Sequence, residues 1–125
     1  MSKIQALKAE KLSETMASPG ISRHLAFKDD GSKVLRAQTE PGTVSGWHHH
    51  GDYEVYGYVV SGTARFENGS EEKNAISVNS GDFFHVPPHT IHREVNPSSN
   101  EDNDVILFLH GDGELVFNVD GPEKS

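Results

Sequence analysis

His48–Glu67, HHHGDYEVYGYVVSGTARFE, is the stretch on which the fold turns. Val55–Val60 is a short run of β-branched and aromatic residues, Ser61-Gly62 is a turn signal, and Ala64–Glu67 resumes the apolar pattern. That is strand, turn, strand. Outward from this segment the same texture recurs, with further turn signals at Asp30-Gly31, Pro41-Gly42, Asn68-Gly69, Ser80-Gly81 and Asp112-Gly113. The remaining candidate strands are Arg23–Lys28, Lys33–Gln38, Val44–His49, Ala75–Val78, Phe83–Val86, Ile91–Val95, Val105–His110 and Glu114–Val119. Many short strands spaced roughly ten residues apart, with no helical pattern between them, predict an antiparallel all-β sandwich or barrel. Asn96–Asp104 is too polar to bury and reads as an exposed loop.

The front of the chain differs. Ile4, Leu7, Leu12 and Met16 fall roughly on one face among Lys, Glu and Gln, which predicts a helix over residues 3–16, ended by Ser18-Pro19-Gly20. The expected layout is a helix or arm over residues 1–20, a β-domain over 21–120 and a frayed tail over 121–125.

The chain has 125 residues, enough for one hydrophobic core. With 11 Lys+Arg against 19 Asp+Glu the net charge is -8, and no basic stretch stands out, so neither nucleic acid nor an anionic membrane is an expected partner. The absence of cysteine excludes disulfides, thiolate ligands and cysteine nucleophiles. The charged N-terminus does not read as a secretory signal, and no apolar run approaches the ~20 residues that span a bilayer. A cytoplasmic location is the default expectation.

Histidine is over-represented: of eight, five (His48, His49, His50, His89 and His92) fall in two short segments. Side chains alternate along a strand, so His48 and His50 share a face while His49 points away. Glu54 follows a bend at Gly51-Asp52 and can bring a carboxylate to the same place. In SGDFFHVPPHTIHREVN (80–96), Pro87-Pro88 redirects the chain and His92 begins the next strand, on the face of Thr90 and Glu94. Three imidazoles and a carboxylate suit one divalent transition metal: Fe, Mn, Co, Ni or Zn. An all-oxygen calcium site would look different.

These residues resemble the cupin family. Its first motif, G-x5-H-x-H-x3-4-E-x6-G, is matched by Gly42, His48, His50, Glu54 and Gly62. Its second, G-x5-P-x-G-x2-H-x3-N, is matched by Gly81, Pro87, His92 and Asn96, with His89 at the second glycine. The spacing departs once: seven residues, not six, separate Glu54 from Gly62, so counting back from the glycine puts Val55 at the ligand position. A one-residue bulge would restore Glu54; without it Glu54 faces outward. The resemblance implies a double-stranded β-helix, or jelly-roll barrel, with one divalent metal on His48, His50, Glu54 and His92. It also implies pairing of two copies through their sheets.

Tyr56, His89 and His110 are candidates for the pocket or for proton transfer. His85 reads as structural, and Arg65 and Arg93 as surface charges. Trp47, Tyr56, Tyr58, Phe83, Phe84 and Phe108 are expected mostly in the core. The fold admits many functions. The two expected here are a metalloenzyme, dioxygenase-like or an isomerase or lyase, acting on a small organic substrate, and a non-catalytic small-ligand sensor.

Overall fold

The computed structural model describes residues 3–69 and 71–122. The last three residues of the expected frayed tail, and the first two of the arm, lie outside the described residues. The fold is all-β and every strand pairing is antiparallel. One layer is a six-stranded sheet in the order β1 (Ser13–Glu14), β2 (Ile21–Asp29), β3 (Ser32–Thr39), β10 (Asn103–His110), β5 (Glu54–Ser61), β8 (Phe83–Val86). Facing it are a three-stranded sheet, β7 (Ala75–Asn79), β6 (Thr63–Glu67), β9 (Arg93–Val95), and the pair β11 (Phe117–Asn118) and β4 (His48–His49). Bridges Val44–Val95 and His48–His92 join these two into a second layer.

The layers close over two apolar clusters. Leu35, Tyr53, Val55, Val86 and Leu109 form one, and Val59, Ala64, Val78 and Val105 the other. Phe84 and Leu107 pack against both. In β5 the inward residues Val55, Gly57 and Val59 alternate with outward Glu54, Tyr56 and Tyr58, the period-2 pattern of a sheet with one solvated face. Alternation turns position 57 inward, and glycine is required there because the Phe84 ring occupies the space a Cβ would need.

Three expectations are corrected. Residues 3–16 are not a helix: the arm is extended, with one 3-10 turn at Ala9–Lys11, and Ser13–Glu14 pairs with β2. Ile4 and Leu7 are exposed, so the apolar face has nothing to bury against, and a helix this short is marginal in water without packing. Second, Tyr56, Tyr58, Phe83 and Phe108 lie on the outer face of the six-stranded sheet, not in the core; Phe83 retains 78% of its exposure. Small β-branched residues fill much of the interior instead. Third, the strands expected at Val44–His49 and Glu114–Val119 shrink to His48–His49 and Phe117–Asn118. Among the described residues no helix is long and apolar enough to cross a membrane.

Candidate metal centre

His48 and His92 face each other across the second layer and exchange both backbone hydrogen bonds, at 2.9 and 2.8 Å. His50 follows two residues after His48, and Glu94 two residues after His92. Alternation on two neighbouring chain segments thus sends four side chains to one place. Their ligand atoms all lie within 4.8 Å of one another, close to the ~3–4 Å separations around a metal with ~2.1 Å bonds. The imidazole centroids stand 4.5 to 5.1 Å apart.

Each ring is held by its other nitrogen. Nδ1–H of His48 donates to Gly46 O (2.8 Å), that of His50 to Leu115 O (2.9 Å) and that of His92 to Thr90 O (2.8 Å). Carbonyl oxygens only accept, so Nδ1 carries the proton and each Nε2 presents a lone pair to the cluster. The Nε2 atoms of His48 and His92 are buried and have no hydrogen-bond partner. Buried polar atoms without partners are rare, and two converging lone pairs are what a cation would satisfy. The donor set therefore fits a divalent transition metal.

Protonation states agree. Burial, with the charge of His92 adding to it, pushes the His50 imidazole down to about 4. Burial likewise lowers His92, although Glu94 partly opposes it. For Glu94 burial alone would push the carboxyl up, but Arg23 and the three imidazoles outweigh it and hold it below the usual range. At neutral pH the cluster is two neutral imidazoles, His50 and His92, beside a carboxylate, with His48 alongside.

Glu54, expected as the carboxylate ligand, is not in this group. Its carboxylate meets the Nε2 of His85 on the outer face. A bulge does accommodate an extra residue in β5, but at Val60, where the register with β10 shifts between Asp104 and Val105. From Glu54 to Val59 the strand stays regular, so Val55 points inward and Glu54 outward. Glu94 supplies the carboxylate instead. Its signal was available in the sequence: it shares a strand face with His92.

The other candidates are dispersed. His49 points away from the cluster, stacks on Phe117 (4.9 Å) and accepts from Gly51 N. Tyr56 stacks on His85 outside the barrel. His89, at φ +57°, donates to Asp52 in an exposed pair, and His110 meets Ser32 on the surface. Arg65 and Arg93 both pair with Glu67, which they hold below the ordinary carboxylate range, and Arg93 also covers the Trp47 ring. Nothing in the sequence pattern singles out Arg23. It occupies an inward-facing position of β2 between Ile21 and Leu25, a charged residue where the alternation calls for an apolar one.

A cleft of about 580 Å³ reaches this region from solvent, lined by Arg23, Ser45, His48 and Asn118 among others. Further in lie two cavities of about 20 and 30 Å³, both touching Arg23 and Glu94.

No curated protein matches the sequence. Among solved structures, KdgF from Halomonas sp. superposes with a TM-score of 0.69 at 24% identity, covering 85% of this chain and 94% of that one. The polyketide cyclase RemF from Streptomyces resistomycificus gives 0.77 at 13%, covering 94% and 86%. A Bacillus subtilis oxalate decarboxylase gives 0.65 at 19%, covering 83% of this chain but 29% of that one. At these identities the likeness speaks for the fold. The sequence pattern described as Cupin domain matches residues 35–109, from the core residue Leu35 to the core residue Leu109 and across every ligand of the cluster, and the chain belongs to the cupin family.

Proposed function

We propose that this protein is a mononuclear metalloenzyme acting on a small organic substrate. The observation that carries the reading is the pair of buried, unpartnered Nε2 atoms of His48 and His92, converging with His50 and Glu94. When bound, a divalent metal supplies Lewis acidity toward a carbonyl or enolate, as an isomerase or lyase uses, or oxygen activation if it is redox-active, as a dioxygenase uses. The chain's part is to hold the three imidazoles in one tautomer, keep His50 and His92 neutral and Glu94 ionised at neutral pH, and exclude bulk water with Phe66, Phe84 and Leu115 around the inner cavities. Among the similar folds, a polyketide cyclase and an oxalate decarboxylase are consistent with enzymatic use of this architecture.

A second reading, a metal-dependent ligand-binding module without turnover, is favoured by the lining of the cleft and inner cavities, whose charged or imidazole side chains among the described residues are, besides those of the cluster, only Arg23 and the exposed Glu114. Both readings begin from the same measurement: elemental analysis of untagged protein beside the His48→Ala/His92→Ala variant. About one equivalent of Fe, Mn, Co, Ni or Zn, lost in the variant, supports the centre. No metal after incubation with added divalent ions would remove the enzyme reading.

We also infer a homodimer through the outer face of the six-stranded sheet. Phe27, Tyr56, Tyr58, Phe83, Ile106 and Phe108 are exposed there together. The chain as a whole carries -8, but near the centre of this face two of the charges are paired internally, Arg36 with Asp104 and Glu54 with His85, which lowers the cost of covering them with a second copy.

A further inference from the structure

Arg23 is a nearly buried cation beside the metal ligands. Its side chain retains 13% exposure. Nη1 donates to Met16 O (2.7 Å) and Ser18 Oγ (3.2 Å), which ties the end of the N-terminal arm to β2. Nη2 stands 3.9 Å from Glu94 Oε2, too far for a hydrogen bond. Among the described residues, the three remaining N–H donors of the guanidinium have no hydrogen-bond acceptor.

Its position is as telling as its state. Arg23 lines the solvent cleft together with His48, and it lines both inner cavities together with Glu94. It therefore stands where the cleft meets the ligand cluster. The only other charged side chain lining the cleft among the described residues is Glu114, which is exposed to solvent. With a dication bound, charges there sum to two from the metal, one from Arg23 and minus one from Glu94, the imidazoles being neutral. A net positive charge withdrawn from water is costly unless an anion joins it. The chain's overall negative charge does not oppose this, because exposed charges more than ~8–10 Å away are largely screened.

We propose that the molecule bound at this centre is a small organic anion, a carboxylate or hydroxycarboxylate, and that Arg23 receives its carboxylate at the inner end of the cleft. The proposal rests on the metal centre of the preceding section. Arg23 is then the residue that selects the substrate class, and its free donors offer the planar two-point recognition that carboxylates favour.

The test uses the full chain loaded with Co(II), whose visible absorption reports its surroundings, titrated with glycolate and with the neutral diol ethylene glycol. Cobalt content is measured first. Glycolate is expected to shift the spectrum saturably and ethylene glycol is not. Arg23→Met is expected to keep its cobalt and weaken glycolate binding at least tenfold, and Arg23→Lys to recover part of that loss. Glycolate binding unchanged in Arg23→Met, or ethylene glycol binding equal to glycolate, would overturn the proposal. Loss of cobalt from Arg23→Met would overturn it too, showing that the guanidinium serves Glu94 instead. Failure of the wild type to take up cobalt would bring down the metal centre itself, a result visible before any glycolate is added.

Discussion

At the scale of single residues the centre depends on which carboxylate faces inward. Glu94→Gln is expected to lower divalent-metal affinity at least tenfold, because an amide is a weaker, uncharged ligand, while Glu54→Gln leaves it unchanged. Competition titration with a chromogenic chelator separates the two, and equal losses would mean that the register of β5 is wrong. His49→Ala should retain full metal stoichiometry. The pH response follows from His50. Its folded pKa, about 4, lies below the unfolded value near ~6.5, so between these pH values the unfolded chain binds more protons than the folded one. Metal-free protein should therefore lose stability as pH falls from about 6.5 toward 4, by up to ~3 kcal/mol from this group, and level off below. Urea unfolding at pH 7.5, 5.5 and 4.5 measures it. Bound metal should be lost over the same window, since protons compete for the same lone pairs. The histidine pair was legible at this scale because alternation along a strand is local. The carboxylate was only half legible: Glu94 shares a strand face with His92, but Glu54 also follows the histidines at a plausible spacing, and only the direction in which each strand face turns tells them apart.

At the scale of elements, β5 holds the barrel together by pairing with both β8 and β10. Gly57 at its centre is the point where strand and aromatic core meet most closely. Gly57→Ala would drive a Cβ into the Phe84 ring, and overpacking of this kind costs about 1–3 kcal/mol. Chemical denaturation should show a lower midpoint with an unchanged slope. Gly57→Ala combined with Phe84→Leu should recover part of the loss. The strand pattern of β5, β6, β8 and β10 was readable from apolar runs bounded by Gly turns. The arm was not: its helical spacing is real, but the backbone of β2 offers Ser13–Glu14 a ladder partner, while no apolar surface covers Ile4 or Leu7. β4 and β11 are shorter than their apolar runs for a related reason. Apolar runs continue past the point where a partner strand exists, and pairing, not composition, ends a strand.

At the scale of the molecule, four of the six aromatics expected inside, Tyr56, Tyr58, Phe83 and Phe108, lie on the outer face. If that face is a dimer interface, light scattering should give a mass near twice the 13.7 kDa chain. Phe108→Asp, at an exposed site, should yield a folded monomer. A monomeric wild type would leave the face without this role. The error about these aromatics has a plain cause: apolarity says that a side chain avoids water, not which surface will cover it, and a covered outer face satisfies Tyr56 or Phe83 as well as a core does. The sequence by itself determined the all-β class, the turns, the pairing of His48 with His50 and the partnership of both with His92, because these follow from period-2 alternation and from motif spacing along the chain. Only the tertiary structure decided that Glu94 and not Glu54 joins them, that Arg23 stands beside them, and that Tyr56, Tyr58, Phe83 and Phe108 face outward while Phe84 packs inside. Each of those depends on which strands become neighbours and which face each turns inward, a matter of packing between segments tens of residues apart.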